Sequence, residues 1–190
     1  MAGALRPTAS QTVGPFFEFG LLRPPGPEVV PESTPGAVRI EGTVFDGRGD
    51  PVPDAMIEIW QAWTSGRYAH PDDPRQDLAL AEGFTGFGRS GTDGNGCFWF
   101  RTVKPGPVPW TDGRPQAPHL NVSVFARGLL HRLVTRLYFP DESEANAADP
   151  LLASLPDARA RRSLIAVPEN GALRFDIRLQ GDEQTCFLQI

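Results

Sequence analysis

A histidine and an asparagine lie two residues apart in the segment 118–125, which has the residue types of a β-strand. Side-chain alternation along a strand puts His119 and Asn121 on one face and Leu120, Val122 and Val124 on the other. Two histidines at this spacing can hold one metal ion, but a carboxamide is a poorer ligand for a transition metal than an imidazole. The strand therefore carries half of a metal-binding pair, and a hydrogen-bonded structural histidine is the alternative interpretation.

The other candidate ligands do not complete a metal site. The chain has three histidines and two tyrosines, and nothing in the spacing of Tyr68, His70 and His119 favours a cluster. Cys97 and Cys186 lie in strand-like segments without a CxxC spacing, so we expect two buried, reduced thiols.

Arg127 follows the same strand and precedes a glycine. If alternation continues to the end of the segment, its side chain shares a face with His119 and Asn121. An arginine at the mouth of a pocket can bind a carboxylate through two parallel hydrogen bonds. A solvated surface arginine is the alternative, and the local pattern leaves both open.

The composition and the patterns of the surrounding segments predict an all-β protein. Twenty glycines and twenty prolines are typical of short strands joined by many turns. The glycine-rich segments 86–89 and 104–107 do not open helices, so they predict tight turns rather than phosphate loops. Strand patterns occur at 38–45, 56–60, 97–102, 120–126, 133–139 and 173–179.

We therefore predict an antiparallel β-sandwich with one or two short helices, one of them at 156–165. The chain is long enough for one domain, residues 1–190. An irregular N-terminal arm takes residues 1–36 and the sandwich core takes 37–190. Phe16, Phe17 and Phe19 in the arm need burial against their own domain or a neighbour.

Bulk properties argue against two classes of partner. The net charge is -5 and the isoelectric point is near 5.2, so the chain lacks a basic footprint for nucleic acid. Its apolar runs fall far short of the roughly 20 residues that span a membrane. The first residues lack the apolar core of a signal peptide, so a cytoplasmic location is expected.

Eight segments, taken together and in order, resemble the intradiol ring-cleaving dioxygenases, a family with a transthyretin-like β-sandwich. The resemblance runs from about residue 8 to residue 190 and is strongest to the alpha subunit of two-chain members. The matching segments are 10–15, 57–62, 87–89, 102–106, 117–121, 125–128, 135–139 and 174–178.

The resemblance implies that this chain lacks an iron site. Catalytic chains of the family hold a non-haem ferric ion with two tyrosines and two histidines. One tyrosine precedes a Pro-Trp pair, where this chain has Val108, and the His-x-His positions are His119 and Asn121. The other tyrosine is expected near residues 76–77, where none occurs. Three of the four ligands are therefore absent, and the chain alone is predicted not to hold iron.

The resemblance further implies a hetero-oligomer of alpha–beta pairs in which the homologous beta subunit binds Fe(III). Arg127 matches an arginine that faces the substrate carboxylate, and Thr12, Gly14 and Pro15 match arm positions that line the pocket. A simple bend of the arm is the other interpretation of the Gly14-Pro15 pair.

The implied substrate is protocatechuate (3,4-dihydroxybenzoate), which O2 cleaves to 3-carboxy-cis,cis-muconate in the beta-ketoadipate route of aromatic degradation. This chain contributes no catalytic residue under that interpretation. The rival hypotheses are a self-sufficient dioxygenase with an altered metal site and a non-enzymatic sandwich module for binding or assembly.

Overall fold

The computed structural model describes residues 7–14, 16–24, 26–155 and 157–189. The strands in these ranges are β1 Ala37–Phe45, β2 Met56–Trp60, β3 Phe87–Gly91, β4 Cys97–Val103, β5 Val108–Pro109, β6 Pro115–Gln116, β7 His119–Phe125, β8 Leu133–Tyr138, β9 Val167–Glu169, β10 Ala172–Arg174 and β11 Ile177–Arg178. The helices are α1 Phe16–Leu21, α2 Ser143–Ala148, α3 Pro150–Ser154 and α4 Ala158–Arg162.

Two sheets form the sandwich. In the first, β1 pairs antiparallel with β4 along one edge and parallel with β10 and β11 along the other, and β9 extends β10. The second sheet is antiparallel throughout, in the order β3-β2-β7-β8. A short ribbon of β5 and β6 lies outside both sheets. The predicted β-sandwich is confirmed, and the parallel pairs of β1 are an addition to it.

The core lies between the two sheets and follows the period of two that a half-buried strand requires. One cluster joins Ile40 of β1 and Phe100 of β4 to Ile59 of β2 and Val122 of β7. A second cluster gathers Tyr138 and Leu152 beside the start of β7. The alternation of β7 places His119, Asn121, Ser123 and Phe125 on the outer face of the second sheet, where all except His119 are half-buried.

The segment 86–89 is wrongly predicted as a turn, because β3 begins at Phe87 and pairs with β2 along its whole length. A side chain at Gly88 would lie 2.6 Å from Val29 of the arm and 3.2 Å from Ile59. The glycine thus permits the arm to pack on the strand, a tertiary requirement that looks like a strand breaker in sequence.

The helices outnumber the one or two predicted. Helix α4 lies within the expected segment 156–165, but α2 and α3 were not predicted and α1 occurs inside the arm that was expected to be irregular. Each has five or six residues, which is too short for a helical period to be visible in the sequence.

Both cysteines are free, but the prediction that they are buried is wrong for Cys97, which is exposed, while Cys186 is half-buried. Cys97 opens β4 directly after the turn 93–96, and strand alternation places its side chain on the face opposite the buried Phe98.

No helix within the described ranges combines the length and the apolarity needed to cross a membrane.

Candidate functional site

His119 begins β7 and is buried, although its ring lies on the outer face of the sheet. Its Nδ1 lies 2.8 Å from the carbonyl oxygen of Ala117. Because a carbonyl can only accept, Nδ1 carries the proton in the neutral imidazole. The ring also lies against Tyr138, with 5.6 Å between ring centroids. The hydrogen-bonded structural histidine of the sequence analysis is therefore the arrangement found.

Burial lowers the pKa of His119 to about 4, with a further contribution from the nearby Arg136 guanidinium. A cation next to an imidazole disfavours its protonated form, as does removal from water. His119 is therefore neutral at physiological pH.

Asn121 lies beside an aromatic pair. Its Nδ2 donates to the carbonyl oxygen of Trp60 at 3.3 Å and to the hydroxyl of Tyr68 at 3.5 Å. The Trp60 and Tyr68 rings are stacked, 6.0 Å apart and 6° from parallel. The structure thus brings Tyr68 to Asn121, whereas His70 is exposed and turns towards Asp72.

Arg136 on β8 is the neighbour of Asn121 across the sheet. Its Nη1 donates to Gln116 Oε1 at 2.7 Å and to the Tyr138 hydroxyl at 3.2 Å. The local sequence pattern does not single out Arg136. The signal that finds it is the register of β7 with β8, which pairs position 121 with position 136.

The residues at the expected ligand positions do not fit a ferric ion. Val108 is a buried aliphatic side chain, and the amide of Asn121 is used as a donor. Burial raises the pKa of Tyr138, which keeps its hydroxyl protonated. Across the described ranges, no group of three or more His, Cys, Asp or Glu side chains is placed to hold a metal.

Arg127 lies in the turn after β7 rather than on the strand. The turn is closed by a hydrogen bond from Leu129 N to Ala126 O at 3.2 Å, and Gly128 takes a φ of 87°, which favours glycine. Because β7 ends at Phe125, the alternation that would align Arg127 with His119 stops before it. The Arg127 side chain is 70% exposed, and its Nε lies 2.9 Å from Asp54 Oδ2.

Thr12, in the N-terminal arm, is hydrogen-bonded to this turn. Its Oγ1 accepts from Gly128 N at 2.8 Å and donates to Ala126 O at 3.4 Å. Gly14, two residues on, is exposed and has open space at its Cβ position, while Pro15 lies outside the described residues. The structure therefore brings Thr12 and Arg127 together at one corner of the sandwich. A separate cavity opens over Asn121 and Arg136, and neither Thr12, Gly14 nor Arg127 lines it.

Comparison with known proteins gives this architecture a family. A family model described as "Dioxygenase" matches residues 30–181. The protocatechuate 3,4-dioxygenase alpha chain of Burkholderia cepacia is 40% identical over 203 residues, with 98% of each chain covered. The chain belongs to the intradiol dioxygenase family.

The chain is also similar to other intradiol dioxygenases, in sequence and in structure. The protocatechuate 3,4-dioxygenase beta chain of Burkholderia cepacia is 38% identical over 156 residues, which cover 77% of this chain and 65% of that one. Among solved structures, the dioxygenase domain of a dioxygenase–carbohydrate-binding fusion from Streptomyces sp. SirexAA-E has a TM-score of 0.59 and 28% identity, and the match covers 93% of this chain and 99% of that one. The chain is thus homologous to both chains of a two-chain enzyme.

The buried neutral state of His119 predicts a pH-dependent stability. The folded pKa of about 4 lies below the unfolded value near 6.5. The unfolded state therefore takes up a proton first as the pH falls. The contribution of His119 to the free energy of unfolding should drop by about 3 kcal/mol between pH 6.5 and pH 4 and level off below that. Denaturant titrations across this range measure the change.

The His119→Gln variant is the control for this titration, because it removes the imidazole. If the variant loses the same free energy between pH 6.5 and pH 4, His119 is not the source. Asp73 acts in a separate window: its ion pair with Arg75 holds the pKa of its carboxyl at about 2, so its contribution disappears at lower pH.

Proposed function

We propose that this chain is the alpha subunit of a protocatechuate 3,4-dioxygenase and pairs with a homologous beta subunit that carries Fe(III). The pair cleaves protocatechuate with O2 to 3-carboxy-cis,cis-muconate. The observation that carries the proposal is the combination of near full-length similarity to an alpha chain with a donor set that does not fit iron. Val108 and Asn121 occupy ligand positions in an otherwise preserved fold.

In this proposal Arg127 binds the carboxylate of protocatechuate. Its guanidinium is exposed at a corner of the sandwich, where a second chain can cover it. A guanidinium binds a carboxylate through two parallel hydrogen bonds, and the attraction strengthens when the partner chain excludes water. The chain thus contributes positioning and exclusion of water rather than bond-making.

Asp54 supports this role of Arg127. One of its oxygens pairs with Nε of the guanidinium at 2.9 Å, whereas the other, Oδ1, is buried and has no hydrogen-bond partner among the described residues. An arginine held at Nε keeps its two terminal nitrogens available for a second carboxylate. We assign Asp54 as the residue that orients Arg127.

The arm supplies the remaining walls of the proposed pocket, from Thr12, Gly14 and Pro15. Thr12 already contacts the turn that carries Arg127. We propose the division of the chain into an arm (1–36) and a core (37–190). The C-terminal part of the arm is hydrogen-bonded to the core, because Arg89 N and Arg101 N donate to the carbonyl oxygens of Gly26 and Pro27.

Helix α1 is consistent with a protein partner. Phe16 is 81% exposed and Phe19 is 75% exposed, so neither ring is buried by its own domain. Large adjacent apolar side chains in water mark an interaction surface. The beta subunit is the proposed partner for this surface.

Co-expression with the homologous beta chain tests the proposal. We expect iron and protocatechuate-dependent O2 uptake in the co-purified complex, and neither in this chain purified alone. A single chain that retains stoichiometric iron and cleaves catechols would instead be a self-sufficient enzyme. A chain that forms no complex and supports no uptake would favour the non-enzymatic module.

A further inference from the structure

A cavity of about 610 Å³ opens on the outer face of the second sheet. Its wall includes Trp60 and Phe87 from β2 and β3, Asn121 from β7, Arg136 from β8, and Trp110 from the loop between β5 and β6. This volume lies within the range of about 300–1,000 Å³ that holds small ligands. The cavity has a defined floor, because the sheet beneath it is paired throughout.

Arg136 gives this cavity a positive charge. Its Nη1 donates only to neutral acceptors, Gln116 and the Tyr138 hydroxyl, and no carboxylate of the described residues lies within 4.0 Å of it. The half-buried arginines 75, 89, 101 and 174 each pair with an aspartate or a glutamate. Arg67, Arg161 and Arg178 lack a carboxylate within 4.0 Å among the described residues, as Arg136 does, but they do not line this cavity.

The other charges around the cavity do not cancel that of Arg136. Glu58 is the acidic residue of the wall, and Arg89 neutralises it with contacts of 2.5 and 2.8 Å. Arg132 adds a second guanidinium. The Asp149 carboxylate reaches Arg136 through the Tyr138 hydroxyl, which accepts from Arg136 at 3.2 Å and donates to Asp149 at 3.0 Å. A half-buried cation with no carboxylate in direct contact gains more from an anionic ligand than an exposed one does, since water screens it less.

The walls suit a flat ring. The Trp110 ring centroid lies 5.9 Å from Cζ of Arg136, and the stacked Tyr68 holds the Trp60 ring in place. Aromatic faces and a guanidinium side by side match a planar ligand with a charged end. Asn121 uses its amide nitrogen for Trp60 and Tyr68, and its carboxamide oxygen has no donor among the described residues, so it can accept a ligand hydroxyl.

We propose that this cavity binds a monocyclic aromatic carboxylate without a metal, with Arg136 at the carboxylate and the tryptophans against the ring. Of the positions that the family resemblance assigns to iron ligands, Asn121 lies in the wall of this cavity. The proposal does not depend on the proposed function, because it requires neither a partner's iron nor Arg127.

The test uses 4-iodobenzoate as the probe and this full chain purified without a partner, so that the proposed substrate site of the alpha–beta complex does not compete for the acid. Crystals soaked with the probe should show an anomalous iodine peak in the cavity, with the carboxylate at Arg136. In solution, 4-iodobenzamide, which has the same ring but no charge, should bind about 10- to 100-fold more weakly than the acid at this site. That comparison needs no mutation and is independent of folding.

Two variants localise the interaction. Arg136→Gln should raise the Kd for 4-iodobenzoate about 10- to 100-fold, whereas Arg48→Gln, on an exposed turn, should leave it unchanged. If Arg136→Gln fails to fold, Trp110→Leu replaces it and should weaken binding several-fold. The proposal is overturned if the iodine peak lies only elsewhere, if acid and amide bind equally, or if these cavity variants bind as the wild type does.

Discussion

Replacing Arg127 with alanine in the alpha–beta complex is expected to raise the KM for protocatechuate about 30- to 1,000-fold and to leave the iron content unchanged. Loss of a desolvated, bidentate arginine–carboxylate contact costs about 2–4 kcal/mol, and each 1.4 kcal/mol is a factor of ten. Arg127 makes its described ion pair with Asp54 on an exposed turn, so the fold should tolerate the change. Steady-state O2 uptake and iron analysis of the complex provide the two measurements.

Three comparisons sharpen this experiment. Arg48→Ala is the matched control, since Arg48 is also an exposed turn arginine paired with aspartates. Arg127→Lys should recover only part of the loss, because an ammonium cannot form the two-pronged contact. Catechol, which lacks the carboxylate, should be turned over equally by wild type and Arg127→Ala. Unchanged protocatechuate kinetics in Arg127→Ala would rule out the carboxylate role, and loss of iron would indicate a structural one.

The largest effect on stability is expected at Asp149. Its carboxyl group is fully buried and accepts four hydrogen bonds, from Ala117 N at 2.9 Å, Tyr138 OH at 3.0 Å, Leu151 N at 2.9 Å and Leu152 N at 3.0 Å. Asp149→Ala leaves these donors buried without an acceptor, so the free energy of unfolding should fall by about 3–5 kcal/mol. Urea unfolding of the variant and the wild type measures the difference.

Asp157→Ala is the matched control for that measurement. Asp157 also caps a five-residue helix, α4, but it is exposed and accepts one capping bond, from Arg159 N at 2.8 Å. Loss of an exposed cap of this kind costs about 1 kcal/mol. Equal losses for the two variants would mean that Asp149 acts only as a helix cap. A larger loss for Asp149 would establish it as the link between β6, β7, β8 and α3.

Local patterns predicted the strands in which one face is buried in the core and the other is not. β2 and β7 alternate because one face of each packs against the core, and both were found within one residue of the predicted bounds. β3 was missed because its glycines serve the packing of the arm. The segment 173–179 was predicted as one strand, but it is divided into β10 and β11 at Phe175 and Asp176, which bond to the backbone of β1 at Glu41 and Thr43.

The candidate site was only partly predictable for a similar reason. The types and spacing of His119 and Asn121 indicated an incomplete metal strand, and the family resemblance supplied Arg127, Thr12, Gly14 and Pro15. Arg136 was not singled out, and the spacing of Tyr68 gave no reason to place it beside Asn121, because these positions depend on strand register and on a loop that folds over β2. The contact of Thr12 with the Arg127 turn joins positions 116 residues apart, and no local pattern contains that information.

The position of β1 has a consequence for how this chain is made. One edge of β1 pairs with β4, which is synthesised soon after it. The other edge pairs at Ile40 and Val44 with Leu173 and Ile177, which are synthesised much later. The strands of the second sheet, by contrast, all lie between residues 56 and 138. During synthesis from the N-terminus, β1 therefore keeps one open edge until residues 173–178 have left the ribosome. Open strand edges and late, non-local pairing expose nascent chains to aggregation. Arrival of the C-terminal strands, rather than ordering of the arm, closes the sandwich.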